Sequence, residues 1–120
     1  MEDIVSTRPD QGTELIPRPA RTPEALRAVL AAIAPERLPE MDSDQRRAVA
    51  AAIEQSSIKP LQLFMIAWAA NIEIERFPEA ARELRRAEYM ANAAETLEES
   101  RRYVRISGDI IRAAYKAVSE

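Results

Sequence analysis

Four prolines in this chain are each followed by glutamate: Pro23-Glu24, Pro35-Glu36, Pro39-Glu40 and Pro78-Glu79. Proline lacks an amide donor and fixes φ near the helical value, so it is tolerated in a first helical turn and disruptive further in. A carboxylate beside it suits the positive end of the helix dipole. The pairs therefore read as helix starts, and Pro60 supplies another. Tyr103, Val104 and Ile106 have β-forming character, but the chain offers no second strand for them to pair with. The expectation is an all-α fold: a compact bundle of four to five helices with a flexible N-terminal leader. Residues 1–21, with Pro9, Gly12, Pro17 and Pro19, form the leader, and residues 22–120 form a single helical domain.

Periodicity fills in the elements. The first helix is predicted from Pro23 to about Ile33, with Thr22 as N-cap and Leu26, Val29, Leu30 and Ile33 on one face. After a single turn at Pro35, a second helix runs from about Pro39 to about Gln55. Its inward stripe is read as Met41, Ala48, Val49, Ala52 and Ile53, with Asp44, Gln45, Arg46, Arg47 and Glu54 wet. The third, from Pro60 to about Arg76, is apolar nearly all round, with Leu61, Phe64, Met65, Trp68 and Ile72 as its main stripe. That pattern marks the central helix. The fourth opens at Pro78, and Ala80, Leu84, Ala87, Ala91 and Ala94 alternate steps of four and three, a seam along which a neighbour can approach closely. Thr96 with Glu99 fits a capping box, yet the apolar spacing continues through Leu97 to Val104, and one long helix is the favoured reading. Gly108 is expected to break the pattern before a terminal helix from Asp109 to Val118.

Composition excludes whole classes of chemistry. The 120 residues contain no Cys and no His, which removes disulfides, thiolate and imidazole metal sites, cysteine nucleophiles and imidazole acid/base schemes. No metal site and no cofactor is expected. With 17 basic and 20 acidic side chains the net charge is −3, without the basic footprint of a nucleic-acid binder. No apolar run approaches the roughly 20 residues needed to span a bilayer, and nothing resembles a signal peptide, so no membrane association and a cytoplasmic location are expected. Glu79 with Glu83, and Glu95 with Glu98 and Glu99, lie beside arginines and read as a solvated face. Trp68 reads as a core anchor.

Two clusters remain as candidate surfaces. Arg82, Arg85 and Arg86, followed by Arg101, Arg102 and Arg105, suggest nucleic-acid contact, but across residues 81–105 six arginines face five glutamates. Helices two and three imitate a helix-turn-helix, yet Glu73 and Glu75 would bring acid to phosphate. The C-terminal segment is richer. Tyr103, Val104, Ile106, Ile110, Ile111 and Tyr115 crowd more large apolar surface into thirteen residues than one small helix needs. It either packs back as the last core helix or presents a patch to another protein.

Thr22-Pro23-Glu24-Ala25-Leu26-Arg27, then Ile33-Ala34-Pro35-Glu36-Arg37-Leu38-Pro39-Glu40, then Lys59-Pro60-Leu61 leading into Trp68, resemble a family of small bacterial helical proteins catalogued as a domain of unknown function. The likeness covers about residues 22–90. Members of that family resemble antitoxin components, some encoded beside small RelE/ParE-type toxins. The resemblance implies a protein partner, such as a small toxin, and transfers no catalytic residue. The expected function is a non-enzymatic protein-binding module, the antitoxin-like part of a type II toxin-antitoxin pair. The alternative is a DNA-binding transcriptional regulator, acting as an autoregulatory homodimer through Arg82, Arg85 and Arg86.

Overall fold

The computed structural model describes residues 13–119. Helix α1 spans Pro23–Ile33, a 3₁₀ turn follows at Pro35–Arg37, and α2 (Leu38–Gln55), α3 (Lys59–Glu75), α4 (Pro78–Ala93) and α5 (Leu97–Ser119) complete an all-α bundle with no strand among the described residues. The prolines punctuate as their chemistry requires. Pro23, Pro35, Pro39, Pro60 and Pro78 all fall in the first two positions of their elements. Thr22 caps α1 by accepting the Ala25 amide on Oγ1 at 3.1 Å. α2 ends at Ser56, whose φ of 52° is left-handed. A side chain in that conformation costs about 1–2 kcal/mol. The Ser57 amide returns to the Ala52 carbonyl at 3.1 Å and closes the turn.

α3 is the axis of the bundle and packs against each of the other four helices. Its Phe64, Trp68 and Ile72 meet Leu26 and Leu30 of α1, Met41 of α2, Ala80 and Ala81 of α4, and Ala114 and Val118 of α5 in one core. Trp68 is 1% exposed, and its Nε1 donates to Asp44 Oδ2 at 2.9 Å. That bond corrects the expected orientation of α2. Of its predicted stripe Met41 is buried and Ala48 and Ala52 are half-buried, but Val49 and Ile53 are exposed, at 42% and 75%. A buried indole N–H needs an acceptor, and turning Asp44 toward Trp68 carries Val49 and Ile53 outward.

The C-terminal half departs from expectation in two ways. Residues 78–104 are two helices, because Ala94 is extended with ψ of 140° and Thr96 Oγ1 accepts the Glu99 amide at 3.1 Å, starting α5 afresh. The Thr96 cap prevails over continued apolar spacing. Gly108 does not break α5, which runs unbroken from Leu97 to Ser119. A mid-helix glycine costs only about 1 kcal/mol against alanine. Burial of Tyr103, Ala114, Ala117 and Val118 on either side outweighs that.

Residues 13–21 carry no helix and lie on the end of α3. The Leu15 amide donates to the Arg76 carbonyl at 2.6 Å, and Arg18 grips Glu73 with two bonds of 2.9 and 3.0 Å. Arg76 donates to Glu73, to the Ile16 carbonyl and to Glu14, while Arg21 reaches the Val118 carbonyl. Residues 1–12 of the expected leader lie outside the described residues. Among those described, no helix is long and apolar enough to cross a membrane.

Candidate functional site

The C-terminal residues singled out from sequence divide between two faces of one helix. Continuous helix over Leu97–Ser119 puts Ser100, Tyr103, Ser107, Ile110 and Ala114 on an inner stripe. There Tyr103, Ser107 and Ala114 are buried and Ile106 and Ile110 half-buried. Ser100 Oγ ties this stripe to α4 by donating to the Ala91 carbonyl at 3.1 Å. Most of the apolar surplus is therefore used by the fold itself. Val104 and Tyr115 are not, being 57% and 39% exposed.

Those two belong to a second stripe that sequence reading missed. Leu97, Arg101, Val104, Gly108, Ile111 and Tyr115 advance in alternating steps of four and three, the spacing of a helix–helix seam. Leu97 is 66% exposed and Ile111 half-buried. The space over Gly108 is taken by the Arg112 guanidinium of the same helix, 3.0 Å from where a Cβ would stand. The alternation was present in the sequence, but a helix break at Gly108 hides it by putting Val104 and Ile111 on separate elements.

At the Tyr115 end the stripe opens into a cleft of about 410 Å³ between α3, α4 and α5. Its apolar walls include Ala67, Ala70 and Ile74 of α3 and Leu84 of α4, with Ile111 and Tyr115 closing the α5 side. Small alanines leave the room. One rim is a charged cluster built from distant parts of the chain. The Glu75 carboxylate accepts from Arg37 Nη1 at 3.1 Å and from Arg85 Nη2 at 2.9 and 2.8 Å. Arg37 also donates to Glu40 and to Asn71 Oδ1, and its guanidinium lies 4.9 Å from the centre of the Trp68 ring. Burial works against the Arg37 charge, but hydrogen bonds and attraction from Glu40 and Glu75 outweigh it and raise its pKa above the ordinary value. With both oxygens of Glu75 occupied by guanidinium donors, the cluster braces the rim, and Glu88 also lines the cleft.

The arginines proposed for nucleic acid are placed on the exposed side of α4. Arg85 is held by Glu75, while Arg82 and Arg86 share their surface with exposed Glu79 and Glu83. α3 presents no recognition edge either. Glu73 is buried at 1% exposure and Glu75 at 9%, each inside an ion cluster. Among the described residues no group of three or more Asp or Glu is gathered to hold a metal ion. A second apolar area lies on α2, where Val49, Ala50 and Ile53 are bordered by Asp42, Gln45 and Arg46 in a shallower groove.

No protein-family model, curated protein or solved structure matches this chain.

Proposed function

We propose that the chain is a non-enzymatic protein-binding module, the antitoxin-like component of a two-protein pair, and that it docks its partner along the outer stripe of α5. The observation that carries this reading is an unpartnered helix–helix seam. Leu97 and Val104 stand 66% and 57% exposed on it, and it leads into an apolar cleft. Exposed apolar surface organised at seam spacing and ending in a pocket is the form taken by helix-in-groove recognition. The resemblance of residues 22–90 to the antitoxin-like family supports a small toxin as the partner. The alternative of DNA binding through Arg82, Arg85 and Arg86 finds less support, because that face of α4 is balanced in charge and Arg85 is held by Glu75.

Co-expression with the product of the adjacent open reading frame tests the reading, with a stable complex as the expected outcome. Deleting residues 103–120 is a poor test, since Tyr103, Ala114 and Val118 are buried in the fold and their loss unfolds the chain. Leu97→Asp and Val104→Asp change only exposed positions and separate docking from folding. A toxin-sized neighbour that never co-purifies would sink the proposal.

A further inference from the structure

We infer that a second copy of this chain covers the α5 stripe when the partner is absent, lying antiparallel along it, so that docking the partner dissolves the pair. This rests on the reading of that stripe as an interface and adds how its occupation is regulated. The stripe is self-complementary. Turned end for end about the level of Ile106, it sets Leu97 of each copy opposite Tyr115 of the other, Val104 opposite Gly108, and Arg101 opposite Ile111. Leu97 thereby leaves water for the mouth of the second copy's cleft, whose α5 wall is Ile111 and Tyr115, and the exchange is reciprocal.

Charge agrees with this register. The solvent edge of α5 carries both signs, Glu98 and Asp109 with Arg101, Arg105, Arg112 and Lys116, all exposed. Among the described residues Arg112 pairs with Asp109, and Glu98, Arg101, Arg105 and Lys116 have no ion pair. The antiparallel arrangement sets Glu98 of one copy against Arg112 and, one turn on, Lys116 of the other, and Asp109 against Arg101 and Arg105. Arg105 also meets its own mate on the axis, with an Asp109 beside it from either copy. A parallel pairing forms none of these contacts, because it turns the charged edge toward that of Ser100 and Ser107, which is packed against α4. In the free chain the Arg112 guanidinium lies over Gly108. It is the exposed end of a long side chain, and Glu98 of the second copy draws it off and leaves that space to the arriving Val104. The α4 bank adds Arg85 and Glu88, one charge of each sign. A single helix pair with glycine and arginine in its seam belongs at the small end of specific interfaces, below about 1,200 Å² in total, so the association is micromolar and a tighter partner displaces it.

The test is sedimentation equilibrium of the full chain from about 1 μM to about 1 mM, where a monomer–dimer equilibrium is expected. Val104→Asp is expected to hold the chain monomeric while leaving the thermal transition in place. Glu98→Arg in one chain, and Arg112→Glu with Lys116→Glu in another, should each raise the dissociation constant at least about tenfold. An equimolar mixture of these two variants should recover the wild-type constant, since each supplies the charge that the other lacks. A chain monomeric throughout, a dimer indifferent to Val104→Asp, or charge variants whose mixture gains nothing would each overturn the inference. Failure here is distinguishable from failure of the broader reading. A monomeric chain whose neighbour co-purifies and is lost on Val104→Asp removes the second copy and leaves the partner standing. A dimer that obeys the charge exchange, without any co-purifying neighbour, does the reverse.

Discussion

The two flanks of α3 handle charge and apolar surface in opposite ways. Toward residues 13–21 and α1, the end of α3 buries Glu73 and Arg76, and Arg18 and the Leu15 amide come over from the N-terminal segment to complete their bonding. Toward α4 and α5, the helix shows small side chains to an open cleft, and the neighbouring stripe on α5 leaves Val104 and Leu97 in water. One flank is finished by the chain's own residues. The other leaves apolar surface open, and the proposed docking stripe lies there.

Substitutions should break this contrast in descending order of effect. Glu73→Gln removes the charge that faces the buried Arg76 and is expected to cost about 3 kcal/mol, the lower end for breaking a buried pair, because Arg76 keeps Glu14 and the Ile16 carbonyl. Denaturant titration reads it directly. Burial pushes the Glu73 carboxyl up, but hydrogen bonds and attraction from Arg18 and Arg76 outweigh it and hold its pKa below the ordinary glutamate value. The contribution is therefore complete above the unfolded value of about 4.3 and lost as pH falls through the lower folded value. Wild type and variant should differ fully at neutral pH and converge in acid. A gap that persists unchanged at low pH would show that the ionised carboxylate is not what Arg18 and Arg76 recognise.

Smaller effects probe the open flank. Thr96→Ala removes the cap at the start of α5 and should cost about 1 kcal/mol in the same titration. Gly108→Ala should stabilise α5 by roughly 0.5–1 kcal/mol, since the added Cβ meets only the movable end of Arg112. Loss of stability there would mean that Arg112 cannot move aside. Val104→Asp should change the unfolding free energy by no more than about 0.5 kcal/mol. A large loss would place Val104 in the core and close the flank that recognition needs.

Helix starts were the most legible part of this fold, because each depends on neighbours in the chain: Thr22 before Pro23, Pro39 for α2, Pro60 for α3. The facing of α2 was not, since Ala48 with Ala52 and Val49 with Ile53 offer adjacent stripes and only the reach of Asp44 to Trp68 decides between them. The burial of Glu73 and Glu75 was hidden for the same reason. Each depends on arginines tens of positions away, Arg18 for one and Arg37 for the other. Of the candidate site, the apolar wealth of the C-terminal segment could be read from composition. Its division into an inner face holding Tyr103 and an outer one holding Val104 and Tyr115 required knowing that the helix continues through Gly108.

The seat of Trp68 supplies the protein with its own optical gauge. It is the sole indole in the chain, sealed at 1% exposure, hydrogen-bonded to Asp44 and stacked under Arg37, which also lines the cleft. Anything that enters the cleft and shifts Arg37 alters the field over that ring and changes its emission. A molecule resting only on the far reach of α5 near Leu97 leaves the fluorescence silent, so light alone distinguishes a visitor in the cavity from one lying on the rail outside it.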